Sequence, residues 1–310
     1  MKDKRVVVTG GAGFIGSNLA EELATSNNVI IIDDLSTGRK ENTASLLNKD
    51  NVKFIQGSIL DAKLLQKFFR GIDFVFHLAA LPSVPRSVQD PLTTNEVNIT
   101  GTLNVLIAAR DNKVKKVVYA SSSSVYGDTP TLPKREDMLP NPQSPYALTK
   151  LVGEHYCRIF HQIYRLPTIC LRYFNVYGPR QNPDSQYAAV IPRFIVRVAR
   201  GNPPVIYGNG EQTRDFTYVR DVVQANLIAA QADATGIFNI GRGEGNSINK
   251  LAETIINVME KDLQPVYEPP LPGDIEHSLA DISKAKKMGY SPEFSLEIGL
   301  KETIESVKSL

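Results

Sequence analysis

Cysteine is scarce in this chain: Cys157 and Cys170 are the only two in 310 residues. Their spacing fits neither a metal site nor a redox motif, and one pair in so long a chain excludes a disulfide framework, so both read as buried thiols. Long apolar runs are missing too. No stretch approaches the ~18 residues that would span a bilayer. The opening Met1-Lys2-Asp3-Lys4-Arg5 leads directly into a β-branched strand rather than the apolar core of a secretion signal, so the chain reads as cytoplasmic, with no membrane partner. An excess of one charge is also lacking. A net charge of +2, with basic residues scattered along the chain, gives no footprint for nucleic acid, and Lys113-Val114-Lys115-Lys116 reads as a solvated helix-to-strand corner. There is no internal repeat and no low-complexity tract. With 42% hydrophobic and 22% charged residues, the chain reads as a globular protein with room for a large domain and a smaller one.

What is present begins with Val6-Val7-Val8, a short strand, followed at once by Gly10-Gly11-Ala12-Gly13-Phe14-Ile15-Gly16 and an amphipathic segment through Asn18, Leu19 and Leu23. Strand, glycine turn and helix in that order let the backbone approach a pyrophosphate at a helix N-terminus, where N–H groups point outward. The required context follows: Val29-Ile30-Ile31-Ile32 is a second buried strand ending in Asp33, about 20 residues downstream. A carboxylate there accepts hydrogen bonds from a ribose 2′-OH and repels a 2′-phosphate, which favours NAD over NADP.

Val52 to Gly57 predicts a third strand, Ala62 to Phe69 a helix, and Phe74-Val75-Phe76-His77-Leu78-Ala79-Ala80 a fourth strand. Asn98 to Asn112 reads as a helix and Val117 to Ala120 as a fifth strand. The βαβα rhythm predicts a doubly wound parallel sheet, whose ligands lie beyond the C-terminal strand ends. Ala79 and Ala80, small residues after the fourth strand, fall at such an end. His77 has no second His or Cys nearby in sequence and reads as a hydrogen-bonded core histidine; no metal site is expected. The fifth strand runs into Ser121-Ser122-Ser123-Ser124, four hydroxyls at the same sheet edge.

Shortly afterwards comes Ser144-Pro145-Tyr146-Ala147-Leu148-Thr149-Lys150. Ser144 reads as an N-cap and Pro145 as the first helical residue, which makes Tyr146 and Lys150 neighbours at i,i+4. A phenol titrates near 10, and a nearby cation favours its phenolate, so this pair suits proton transfer, with a serine hydroxyl as relay.

Together, the glycine turn, Asp33, the serine-rich strand end and Tyr146-x-x-x-Lys150 resemble the extended short-chain dehydrogenase/reductases that act on nucleotide sugars, over nearly the whole chain. Within that family the chain looks most like the UDP-hexose 4-epimerases. Ser83-Val84-Pro85-Arg86-Ser87 and Tyr187-Ala188-Ala189-Val190-Ile191-Pro192 are especially similar to the branch that accepts N-acetylated UDP-sugars. The resemblance implies a Rossmann-like NAD-binding domain over 1–178 and a smaller mixed α/β substrate domain over 179–310. A strand near Gly236 to Ile240 returns to the first, so the two are interleaved. It implies Ser122, Tyr146 and Lys150 as catalytic residues. Around NAD it implies Gly10, Gly13, Phe14, Ile15 and Gly16, then Asp33, Asp34, Leu35, Ser36, Thr37 and Gly38. Ser58, Ile59, Leu78, Ala79, Ala80, Asn98, Tyr146, Lys150, which would hold the nicotinamide ribose, and Tyr173 complete that shell.

Around a UDP-sugar the resemblance implies Ser83, Val84, Arg86, Ser122, Ser123 and Tyr146. It adds Asn175, from the stretch Leu171 to Pro179, Ala189, Val190, Val205, Tyr207 and Arg214, with Asp274 and Ser278 from the stretch Gly273 to Asp281. It further implies a homodimer in which the Asn98 to Asn112 and Pro145 to Tyr164 helices form a four-helix interface. Two positions depart from the pattern: Ser58 stands where relatives usually carry an adenine-contacting Asp, and Leu271 where they carry an Arg that clamps the diphosphate. Dehydratases of this fold carry Asp-Glu where Ser123 and Ser124 stand, and UDP-glucuronate decarboxylases usually a Glu at the second position. This chain has hydroxyls alone there, which favours epimerisation over those alternatives and over a non-catalytic dinucleotide-binding regulator.

Overall fold

A computed structural model describes residues 1–182, 189–270 and 276–308. Seven strands form one parallel sheet in the order β11-β6-β5-β4-β1-β2-β3. The first three are β1 (Arg5–Thr9), β2 (Asn28–Asp33) and β3 (Val52–Gln56); the next three are β4 (Phe74–His77), β5 (Lys116–Ser122) and β6 (Thr168–Tyr173). The edge strand β11 (Gly236–Ile240) pairs with β6. Both faces of the sheet are covered, which is why its strands read as continuous apolar runs. Val6, Val8, Ile31, Val118 and Leu171 join one core with α1 (Phe14–Leu23) and α8 (Val219–Gln231). Val7, Ile32, Val75 and Val117 join the other with α2 (Ala62–Phe68), α5 (Gly101–Asp111) and α6 (Pro145–Tyr164). Cys157 and Cys170 lie in this second core as free, buried thiols.

After β1 the chain winds outward to β2 and β3, then returns past β1 to lay down β4, β5 and β6 on the other side. The order therefore reverses between β1 and β4, and a crevice opens there at the C-terminal strand ends.

Four local readings are corrected. β4 stops at His77 instead of running through Ala80: its last pairs are with Thr9 of β1, which ends there, and with Tyr119 of β5. β5 runs on through Ser121 and Ser122, since β6 pairs with it up to Ser122 and Tyr173; the 3₁₀ turn Ser123–Tyr126 follows. The helix expected from Asn98 begins as a π-type turn, Glu96–Thr100, that leads into α5. Lys116 is not solvated: it is buried, and its ammonium donates to the carbonyls of Ala229, at 3.3 Å, and of Ala232.

The short helices α3 (Val84–Gln89) and α4 (Pro91–Asn95) pack against α6. Beyond β6, β7 (Val176–Tyr177), α7 (Val190–Ala199), β8 (Val205–Tyr207), β9 (Thr213–Arg214) and β10 (Thr217–Tyr218) precede α8. After β11 come β12 (Asn246–Ser247), α9 (Ile248–Val258), β13 (Val266–Glu268), α10 (Ser283–Lys287) and α11 (Leu296–Lys308). Tyr177, Phe194, Val198, Ile206, Tyr218, Leu251, Ile255 and Leu300 give this region its own apolar core. No described helix is long and apolar enough to cross a membrane.

Candidate active site

The glycine turn closes the crevice from below. Gly10 has φ +71°, and a Cβ there would lie 2.6 Å from the Ala79 nitrogen, so the end of β1 is packed directly on the segment after β4. At Gly16 a Cβ would stand 2.1 Å from the Gly10 carbonyl oxygen, which ties the start of α1 to the turn. Gly13 caps α1 with no side chain, and no acidic residue occupies the first turn that holds Phe14, Ile15 and Gly16, so the positive end of the helix faces the crevice.

Asp33, at the end of β2, accepts the Ala12 N–H at 2.9 Å and the Leu35 N–H at 2.8 Å. Burial raises its pKa against these hydrogen bonds. Asp34 accepts from Ser36 N at 2.9 Å; Leu35 takes φ +62°, while Ser36 and Thr37 are exposed and Gly38 lies against the Asp33 carboxylate. Ser58 Oγ accepts the Leu60 N–H at 3.2 Å, next to buried Ile59. Leu78, Ala79 and Ala80 are half-buried at the end of β4. These residues fit a dinucleotide: a cradle that only glycine fills, an uncapped helix start and a carboxylate one strand over.

Ser144 caps α6, its hydroxyl accepting the Ala147 N–H at 3.1 Å, with Pro145 at the helix start, and the helix spans the range the sequence indicates. Lys150 is buried; its ammonium donates to the Ala120 carbonyl at 2.8 Å and lies 5.2 Å from the Tyr119 ring centre and 5.9 Å from that of Tyr146. Burial lowers the Lys150 pKa to about 8, with the Glu154 carboxylate opposing. Burial raises the Tyr146 pKa, and a hydrogen bond with Ser122 lowers it in part. Lys150 alone therefore does not turn Tyr146 into a phenolate, contrary to the simplest reading of an i,i+4 pair. The Ser122 hydroxyl also accepts from Ser124 Oγ, at 2.9 Å, and from Ser124 N, at 3.2 Å, while Ser123 is half-buried beside it.

Asn98 holds α6 from the other side of the crevice, and His77 ties β4 to β1 and α5. Asn98, in the π-type turn, accepts from Leu81 N at 2.7 Å and donates to Leu81 O at 3.2 Å and Thr149 Oγ1 at 3.1 Å. His77 lies between Thr9 Oγ1, at 2.8 Å, and Thr102 Oγ1, at 2.9 Å, and burial drives its pKa down to about 3. It is a neutral core histidine, and no cluster of metal-ligating groups exists among the described residues.

On the sugar side, Ser83 (φ +98°) caps α3 by accepting from Arg86 N at 3.3 Å, and Val84 is exposed beside it; α3 packs on α6, so this trio adjoins the Tyr146 helix. Asn175 (φ +29°) donates to the Asp215 carbonyl at 3.4 Å. Arg214 donates to the carbonyls of Thr213, at 2.9 Å, and Glu276, at 3.3 Å, and Ser278 N donates to Thr213 O at 3.0 Å. Asn175, Arg214 and Ser278 are thus drawn together around one strand. Asp215 does not pair with Arg214: its carboxylate accepts the N–H groups of Arg242, Gly243 and Ala280 at 2.7, 3.0 and 3.1 Å.

Val205 and Tyr207 lie on β8, where Arg193 stacks on the Tyr207 ring at 5.7 Å; Ala189 is exposed and Val190 opens α7. The Tyr173 hydroxyl is engaged with Asn226, at 3.0 Å, so only its ring and backbone are free to face the crevice. Asp274, Gly273, Leu271, Tyr187 and Ala188 lie outside the described residues.

The sequence reading missed what stands behind Tyr146 and Lys150. Glu154 continues their spacing, at i+8 from Tyr146, and is buried; Arg172, inside the apolar strand β6, forks onto it with Nε and Nη2 at 2.8 and 2.7 Å. The available signals were a carboxylate on the buried stripe of an amphipathic helix and a lone guanidinium in a buried strand.

The model of one protein family, described as the NAD dependent epimerase/dehydratase family, matches residues 6–241. The UDP-glucose 4-epimerase of Mycolicibacterium smegmatis is 40% identical over 307 residues, 97% of each chain. A UDP-N-acetyl-alpha-D-glucosaminuronate decarboxylase of Bacillus cytotoxicus is 39% identical over 316 residues, again 97% of each. Among solved structures, the UDP-N-acetylglucosamine 4-epimerase from Methanobrevibacter ruminantium M1, in complex with UDP-N-acetylmuramic acid, superposes with a TM-score of 0.97 at 47% identity, covering 100% of this chain and 99% of that one. With its glycine cradle and its Tyr146/Lys150 helix on one sheet edge, the chain belongs to the NAD dependent epimerase/dehydratase family of enzymes.

Proposed function

We propose that the protein is an NAD-dependent 4-epimerase of UDP-hexoses that interconverts UDP-GlcNAc with UDP-GalNAc and UDP-Glc with UDP-Gal. The observation that carries the reading is the Ser122, Tyr146 and Lys150 constellation at the crevice, with hydroxyls alone in the neighbouring turn. Epimerase relatives at 40% and 47% identity support it. Gly10, Gly13 to Gly16 and Asp33 would hold NAD, which when bound supplies reversible hydride exchange with the sugar C4 and a positive ring near the phenol.

The chain's own residues then handle the proton. Tyr146 takes it from the sugar 4-OH, and Ser122, whose hydroxyl works against the rise in the Tyr146 pKa and accepts from Ser124, shares the path. Lys150 keeps positive charge beneath the phenol, which the buried Tyr146 needs because burial alone favours its neutral form. Arg214 and Asn175 are the proposed diphosphate contacts. Epimerisation also requires the sugar to turn over between loss and return of the proton, and Ser278 leaves room beside the ring. Residues 1–178 with β11 would form the dinucleotide-binding domain, and 179–310 the substrate domain.

A homodimer belongs to the proposal: on α6, Leu148, Ile159 and Ile163 form an exposed apolar stripe that a second copy would cover. Light scattering of the purified protein tests it, and a monomer at micromolar concentration would refute it. Separate incubation with UDP-Glc, UDP-Gal, UDP-GlcNAc and UDP-GalNAc, with products resolved chromatographically, tests the activity. Loss of CO2 from a UDP-uronic acid, with no turnover of the four neutral sugars, would replace epimerase by decarboxylase.

A further inference from the structure

Between the crevice and the centre of the sheet, a carboxylate links every element that carries the proposed proton-handling groups. Glu154 Oε1 accepts from Ser121 Oγ at 2.5 Å and from Arg172 Nε at 2.8 Å; Oε2 accepts from Arg172 Nη2 at 2.7 Å. Ser121 precedes Ser122 on β5, Arg172 precedes Tyr173 on β6, and Glu154 lies one turn beyond Lys150 on α6. Arg172 in turn stacks on Tyr126, at 4.6 Å, at the end of the turn that Ser122 opens, and the Tyr126 hydroxyl donates to Asn239 on β11 at 2.7 Å. Both members of the ion pair are 1% exposed. Such a pair costs desolvation that its attraction only roughly repays, so stability alone is a weak reason for it.

We infer that Glu154 is a positioning residue for the reaction: it fixes Ser122 against Tyr146 through Ser121, and it holds Lys150 in its charged form. The inference rests on the proposed roles of Tyr146 and Lys150. The surroundings support the charge argument. Facing Lys150 are Tyr119 on β5, Tyr146 and Glu154 on its own helix and, from β4, the neutral His77. Facing Glu154 are Ser121 on β5 and, on β6, Arg172 and Cys170, whose thiol a hydrogen bond with Cys157 and then burial hold protonated. On the helices packed outside α6, Asp90 and Glu96 are exposed, Arg86 is partly so, and Arg110 and Asp111 of α5 pair with each other. Glu154 is thus the carboxylate that helical spacing sets beside Lys150, i+4 on α6, and its charge opposes the burial that works against the ammonium.

The test is Glu154→Gln, which keeps the size and one acceptor but removes the charge. Lys150 is followed in 13Cε-lysine protein by NMR, its signal identified from Lys150→Arg. The wild-type signal should titrate near pH 8; in E154Q the midpoint should fall by about one pH unit, and the alkaline limb of kcat with it, while KM changes less than twofold. Glu154→Asp, which restores the charge, returns the midpoint towards wild type even where kcat stays low. Ser121→Ala, which leaves the ion pair intact, lowers kcat several-fold without moving the Lys150 midpoint.

An unmoved midpoint in folded E154Q overturns the inference. If E154Q does not fold, the double variant Glu154→Leu/Arg172→Met removes both charges together and is read the same way. Should the wild type turn over no UDP-sugar, the proposed function fails while the lysine titration still decides the role of Glu154.

Discussion

Lys150 offers a direct test of how the crevice is built, because its burial has a measurable cost. Its pKa in the folded protein, about 8, lies below the ordinary 10.5. Between those two values the unfolded chain holds more protons than the folded one, so the free energy of unfolding rises with pH across that window. Below pH 8 both states carry the charge and the cost is present in full; above 10.5 neither does and the cost is gone. At 1.36 kcal/mol per pH unit, the gap corresponds to about 3 kcal/mol. Lys150→Met removes the group, and other titrating residues cancel when the two proteins are compared. Urea unfolding of NAD-free wild type and K150M, followed by circular dichroism from pH 7 to 10.5, should show the wild type gaining on the variant by about 3 kcal/mol above pH 8. A difference that stays flat, or falls as pH rises, would refute the buried-ammonium account. Activity should run the other way, declining above pH 8 as the ammonium is lost.

Tyr146→Phe removes the proton acceptor and keeps the ring, so turnover should drop by two or more orders of magnitude, a typical acid–base contribution, while dinucleotide released on denaturation stays equimolar; more than about a tenth of the wild-type rate would exclude Tyr146 as the base. Purified wild type should contain NAD or NADH, and NADP should not reactivate the apo form; Asp33→Ser should narrow that preference, as measured by reactivation with each dinucleotide. Ser278→Tyr should suppress turnover of the N-acetylated pair and spare the UDP-Glc/UDP-Gal pair, because a packed pocket penalises overlap by about 1–3 kcal/mol. Equal loss on both pairs would show that Ser278 does not gate the C2 substituent.

Much of this was legible in the sequence because it depends on local rules. Gly10 needs positive φ and Gly16 needs a missing Cβ, so the turn shows its chemistry in its residue types. Ser144-Pro145 announces the start of α6, and the apolar runs of β1, β2 and β5 announce a sheet covered on both faces. The readings that failed depend on a distant partner. Whether β5 takes in Ser122 is decided by β6, which pairs with it as far as Tyr173. Lys116 looks like a surface lysine until α8 supplies the carbonyls that bury it.

The same distinction explains why a pair of residues does not make the site. Tyr146 and Lys150 are neighbours by helical spacing alone, yet burial moves both towards their neutral forms. A helix cannot correct this with solvent, since the face that holds them is turned to the sheet. The correction comes from alternating charge that runs inward: phenol, ammonium at Lys150, carboxylate at Glu154, guanidinium at Arg172, and finally the ring of Tyr126, on which the guanidinium stacks at 4.6 Å. Glu154 offsets the desolvation of both Lys150 and Arg172, and the guanidinium meets an aromatic face at Tyr126 instead of another charge. The chain of compensation crosses from α6 to β6 to the turn after β5. The charge state of the crevice is therefore a property of how the sheet and helix assemble, and the i,i+4 motif marks only its outer end.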